Sequence, residues 1–265
     1  MTSTGATHDV PPAGAPAASA SREFLAERSG PAELTDVSLR WSDLGWFLAC
    51  YAGLVAVWFI MGKVVVNSAA INSLDQRVAD WFVEQRTPDL DVTSKWGSGL
   101  ADTFVKIAVT ALVAIAMRLA WKRWREPLMM VVPLVLEAAA FITVTYLVAR
   151  PRPENGLESS PVDSSFPSGH VAAAAAYSAL VIIVFWHTRK FWARALVIIV
   201  SVVVPVVVAL SRMYRGMHFL SDVIGGAALG LASVALSWWL IHRAVVRNES
   251  TDVAPEPSNA PARAA

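Results

Sequence analysis

Residues 195–242 read ALVIIVSVVVPVVVAL (195–210), SRMYRGMHFL (211–220) and SDVIGGAALGLASVALSWWLIH (221–242). Two apolar runs flank a polar interval. A helix rises about 1.5 Å per residue, so a hydrocarbon core about 30 Å thick takes about 20 residues to cross. The second run meets that length, and the first does so if residues from Ser211 onward extend it. The stretch therefore predicts two adjacent crossings with a polar cluster between them.

Working outward, further apolar runs at 46–66, 103–121, 127–149 and 169–186 bring the number of helices to six. The whole chain agrees: 265 residues, 55% hydrophobic, 16% charged, eleven tryptophans and a mean hydropathy of +0.48. That is too apolar for an ordinary soluble domain. The expected fold class is all-α, a polytopic membrane bundle occupying residues 41–247. Residues 1–40 and 248–265 are rich in Ala, Pro, Ser and Thr or Glu and read as disordered tails. No basic segment precedes a short apolar one at the N-terminus, so the first span is expected to serve as an uncleaved signal anchor. Between the first two spans, Ile71 to Arg86 has the pattern of an amphipathic helix lying on the membrane or over a site.

A formal net charge of +1, with Lys122-Arg123-Trp124-Arg125 the longest basic run, argues against a nucleic-acid partner. The single cysteine, Cys50, rules out an intrachain disulfide and reads as a small buried apolar residue. Charge placement is more informative. Basic residues gather at Lys122, Arg123 and Arg125, at Arg189, Lys190 and Arg194, and at Arg243 and Arg247, which puts those turns and both termini in the cytoplasm. On the other side, Asp75, Asp80, Glu84, Asp89, Asp91 and Asp102 outnumber Arg77, Arg86 and Lys95. That side is expected to be extracytoplasmic.

Three polar clusters fall at helix ends on this same side: Arg150-Pro-Arg152-Pro, Pro167-Ser168-Gly169-His170, and Ser211-Arg212 followed by His218 and Asp222. From His170 the chain crosses in, turns at Arg189-Lys190 and crosses back to Arg212, so the clusters converge on one pocket. Together they supply charge, nucleophile and acid, the set phosphoryl chemistry needs. Each guanidinium of Arg152 and Arg212 offers a planar fork to two phosphate oxygens. Ser168 and Gly169 precede a helix whose first amides have no intrahelical partner, and Ser168 adds a hydroxyl. Alone, Pro-Ser-Gly would be a helix N-cap. His218 and Asp222 share a face if they lie on one helical turn, so the carboxylate would fix the ring tautomer and leave the other nitrogen to attack phosphorus. His170 is then the acid that protonates the leaving alkoxide and later activates water. A lone His-x3-Asp would more often be a polar cap, and the further ligands a metal site needs are lacking. No metal or other cofactor is expected.

These motifs resemble those of the type 2 phosphatidic acid phosphatase superfamily, the membrane lipid phosphatases related to vanadium haloperoxidases. The family pattern is Lys-x6-Arg-Pro, then Pro-Ser-Gly-His, then Ser-Arg-x5-His-x3-Asp. The second element is complete at 167–170 and the third at 211–222. In the first, Arg152-Pro153 fits, but Thr145 stands at the lysine position. The resemblance spans about residues 100–240 and implies the same roles for His218, His170 and Asp222, with Arg152, Ser168, Gly169, Arg212 and position 145 at the phosphate. Arg150 or Lys106 is the candidate to restore the missing charge.

The expected activity is hydrolysis of a lipid phosphate or diphosphate through a phosphohistidine. Phosphatidic acid, phosphatidylglycerophosphate and an isoprenyl diphosphate are the candidate substrates. Phosphotransfer to another acceptor is the alternative within the superfamily, and a non-catalytic lipid-phosphate binder or transporter the alternative outside it. The sequence leaves the oligomeric state open. Glu137, near the middle of the third span, is expected to form an interhelical hydrogen bond. Gly225, Gly226 and Gly230 read as close helix-packing positions, and the tryptophans near helix ends as core or interfacial anchors.

Overall fold

The structure, a computed structural model, describes residues 36–37, 39–159 and 164–252, with side chains as far as Arg247. Nine helices follow in order among them: α1 (Trp41–Asn67), α2 (Ala69–Glu84), α3 (Pro88–Gly99), α4 (Thr103–Trp121), α5 (Arg125–Val148), α6 (Gly169–Ala176), α7 (Ala179–His187), α8 (Phe191–Tyr214) and α9 (Leu220–Asp252). Six spans are long and apolar enough to cross a membrane, α6 and α7 forming one between them. The protein is an all-α, multi-pass membrane protein. Most of the two tails expected at 1–40 and 248–265 lies outside the described residues.

Lipid is the solvent for which this surface is built. Phe104, Leu112 and Leu119 on α4 are 88%, 68% and 72% exposed, along a helix that would expose so much apolar area to water only at great cost. The interior is organised around α6. Its alanines Ala172–Ala176 are almost wholly buried, and α5, α8 and α9 pack round them. Small residues let the backbones close in: a Cβ on Gly226 would lie 2.3 Å from the Ser168 carbonyl oxygen, and one on Gly230 2.2 Å from that of Ala172. Gly225 lies against the Phe166 ring. The three glycines have the packing role their sequence suggested.

Local chemistry sets where the helices begin. The Ser68 side chain accepts from the Ile71 amide to start α2. Thr87 does the same for Leu90 at α3, with Pro88 in the first turn and Asp89 and Asp91 complementing the helix dipole. Sequence periodicity anticipated α2 but not α3, which is short and carries little apolar pattern beyond Val92 and Trp96. The fifth crossing, α8, reaches full length because it continues through Ser211 and Arg212 to Tyr214. One end of the bundle thus gathers α2, α3, the starts of α4, α6 and α9, and the ends of α1, α5 and α8.

Candidate active site

The three motifs meet at that end. His218 lies between α8 and α9, and its Nδ1 is 2.8 Å from the Ser165 carbonyl oxygen. The ring is buried. With Nδ1–H donating to the carbonyl, Nε2 is left with its lone pair. Burial first, and then the guanidiniums of Arg212 and Arg152, hold this imidazole well below the usual histidine range, against a smaller opposing effect of the Ser165 carbonyl. His218 is therefore neutral near pH 7, the form that has a lone pair to give.

The arginines are fixed by the loops around them. Arg152 donates to the Met217 carbonyl at 2.5 Å. Arg212, at the end of α8, donates from Nη1 to Ser98 Oγ of α3 at 2.9 Å and to Glu158 at 3.0 Å. The same carboxylate accepts from Arg215 Nε at 2.6 Å, and Arg215 also reaches Ser94 and the Asp91 carbonyl on α3. Among the described residues, the buried Ser168 Oγ and Arg212 Nε find no hydrogen-bond partner. Two buried donors left unsatisfied are a costly arrangement unless an anion completes them. Gly169 opens α6 with Phe141 pressed against it, and the next residue, His170, holds Asp102 at 3.1 Å through Nε2.

Three expectations need correction. Asp222 does not orient His218: the chain turns helical only at Leu220, so His218 and Asp222 do not share a helical turn. The carboxylate instead accepts from the Phe219 amide at 2.8 Å, closing the first turn of α9, and pairs with Arg150 at 2.5 Å. The tautomer is set by Ser165. Second, Arg150 does not extend the phosphate site. Its guanidinium is consumed by Asp75 at 2.7 Å, Asp222, Ser221 and Asn72, because two buried carboxylates require a cation. Third, Lys106 turns towards Glu137 at 3.5 Å, so Glu137 is met by an ion pair between α4 and α5 and not by the simple hydrogen bond expected. Thr145 is buried, and its Oγ1 has no hydrogen-bond partner among the described residues.

Asp75, Asp102, Glu158, Ser165 and Arg215 went unassigned in the sequence. Arg215 lies inside the third motif and Asp102 is a strong N-cap residue before an apolar run, so both carried a local signal. The other three act through contacts with residues distant in the chain.

A bundle of six spans whose helix ends carry two histidines, two arginines and two buried unsatisfied donors defines a class: membrane proteins equipped to handle an anionic group. Residues 127–245 match the family model described as PAP2 superfamily. Phosphatidylglycerophosphatase B of Bacillus subtilis is 26% identical over 177 residues, covering 66% of this chain and 87% of that protein. An undecaprenyl-diphosphatase of Sulfolobus acidocaldarius is 32% identical over 134 residues, 48% of this chain and 59% of its own length. Among solved structures, the transmembrane PAP2 type phosphatidylglycerolphosphate phosphatase from Bacillus subtilis superposes with a TM-score of 0.61 at 22% identity, covering 78% of this chain and 98% of that one. Aquifex aeolicus LpxE gives 0.52 at 22%, over 66% and 98%. The protein is a phosphatase similar to the PAP2-type enzymes.

Proposed function

We infer that the protein hydrolyses a lipid phosphate or diphosphate at the extracytoplasmic face of the membrane, with both termini in the cytoplasm, through a phosphohistidine on His218. The observation that carries this reading is the pairing of the neutral, carbonyl-anchored His218 ring with the unsatisfied Ser168 Oγ and Arg212 Nε. The basic turns at 122–125 and 189–194, at the opposite end, support the orientation.

In this mechanism the phosphate oxygens are held by Arg152, Arg212, Ser168 and the first amides of α6. His218 Nε2 attacks phosphorus in line as the bond to the lipid oxygen breaks, and His170 delivers a proton to that oxygen. Water then attacks the phosphohistidine while His170 takes its proton. The N–P bond breaks and its electron pair returns to Nε2, releasing phosphate and neutral His218. Asp222 contributes by closing α9 behind His218, and Ser165 by fixing its tautomer.

Inorganic phosphate release in detergent with chelator present tests this, using phosphatidic acid, phosphatidylglycerophosphate and undecaprenyl diphosphate with the parent and His218→Ala. Turnover that disappears in the variant is expected, and acid-labile label from a 32P-substrate should be trapped on the parent alone. Turnover retained by a folded His218→Ala protein would overturn the assignment.

A further inference from the structure

We propose that Asp102 is a positioning residue for His170, holding the ring with its free nitrogen towards the leaving-group oxygen and supporting its charged form during proton transfer. The inference rests on the reading of His170 as the acid.

Asp102 stands at the N-cap of α4, where it has extended backbone angles and its carbonyl accepts from the Lys106 amide at 2.8 Å. An aspartate there ordinarily turns its carboxylate inward to accept an amide of its own first turn. Here it does not. Among the described residues, the Asp102 side chain caps no amide of α4. Its Oδ1 instead lies 3.1 Å from His170 Nε2, across 68 residues of chain. The site keeps a contact between two helix starts in place of a local cap that the same carboxylate could have made.

The consequence for His170 follows from imidazole chemistry. With Nε2–H donated to Asp102, Nδ1 is the nitrogen that takes and gives the reacting proton. A carboxylate behind the ring favours the imidazolium that must exist before the proton leaves for the lipid oxygen, and it holds the ring at one angle. Among the described residues, the hydrogen-bond partner behind His218 is the Ser165 carbonyl. A neutral acceptor fixes a tautomer without favouring its protonation, which suits a nucleophile. The two histidines thus stand on different partners, a carboxylate for the acid and a carbonyl for the nucleophile.

Leaving-group dependence separates this role from a structural one. Protonation matters for an alkoxide and hardly at all for p-nitrophenolate. The purified full-length protein is assayed on dioctanoyl phosphatidic acid and on p-nitrophenyl phosphate, and kcat/KM is compared as the alkyl-to-aryl ratio in the parent, Asp102→Asn, Asp102→Glu and His170→Ala. Asp102→Asn is expected to lower the ratio by about 10- to 100-fold, in the same direction as His170→Ala, with Asp102→Glu recovering part of it. The ratio is internal to each preparation, so partial misfolding does not change it. A ratio unchanged in Asp102→Asn but lowered in His170→Ala overturns the role of Asp102 alone. A ratio unchanged in both overturns the acid assignment of His170 and this inference with it.

Discussion

Arg150 and Asp222 meet at 2.5 Å with both side chains out of solvent, and the same guanidinium holds Asp75 at 2.7 Å. One cation therefore ties α2 to the start of α9, immediately behind His218. Arg150→Ala leaves two buried carboxylates without a cation and is expected to cost about 3–5 kcal/mol. The loss should appear as a lower midpoint of thermal unfolding in detergent, with Arg150→Lys recovering part of it because the charge returns without the fork. A variant that unfolds with the parent yet releases no phosphate would place Arg150 at the substrate after all.

His218 gives a pH signature. Its folded pKa lies well below the usual value, whereas the unfolded chain has it near 6.5. Above about pH 6.5 both states are neutral and stability is unaffected; as pH falls below that, the unfolded state binds a proton that the folded state refuses, so this contribution to stability is lost down to the folded pKa. In protein labelled with 15N-histidine, the resonance absent from His218→Gln should remain that of a neutral ring at pH 6. Titration near 6.5 would mean the ring is solvated.

Most of this arrangement was legible in the sequence for a physical reason. Apolar length fixes crossings, and crossings fix which motif faces which end, so His170, Arg152 and Arg212 could be brought together from the runs at 127–149, 169–186 and 195–210. What sequence could not give was the partner of each charge. Spacing suggested that Asp222 serves His218, but spacing assumes a helix, and α9 starts two residues beyond the histidine. Arg150 and Lys106 were free cations on paper. In the fold each meets a buried carboxylate, Asp222 and Asp75 in one case and Glu137 in the other.

Gly226 and Gly230 separate site geometry from packing. Both abut carbonyls of the α6 segment, but Gly226 meets Ser168, the residue with the open hydroxyl, and Gly230 meets Ala172 one turn deeper. Alanine at either position should destabilise by about 1–3 kcal/mol. Only Gly226→Ala is expected to lose kcat as well, by tenfold or more in protein that is still folded, since a shift of about 1 Å in a positioned group costs about 100-fold. Equal kinetic effects in the two variants would mean that α6 moves as a unit.

Glu158 puts a negative charge on Arg212, in competition with an incoming phosphate. The carboxylate is bound to Arg212 and Arg215 at 3.0 and 2.6 Å and is 30% exposed. Glu158→Gln removes the repulsion while keeping the shape. Inorganic phosphate should then inhibit more tightly, by about fivefold or 1 kcal/mol, with the gain shrinking in high salt. Weaker inhibition would mean that Glu158 chiefly holds Arg212 in place.

Lys106 and Glu137 form a charge pair set among the helices with no place in the proposed chemistry. They approach at 3.5 Å, Glu137 wholly buried on α5 and Lys106 near the start of α4. Phe141, one turn beyond Glu137, lies against Gly169, so the pair sits under the floor of the site. If its role is to join α4 to α5, each single substitution strands a charge in an apolar bundle and costs about 3–5 kcal/mol, whereas the double change is far less harmful because no charge remains. Lys106→Met and Glu137→Leu should each lower the unfolding midpoint, and the two together should restore most of it along with phosphate release. A double variant that is stable but inactive would instead give Lys106 a part in binding the phosphate, supplying from the neighbouring helix the charge that Thr145 lacks.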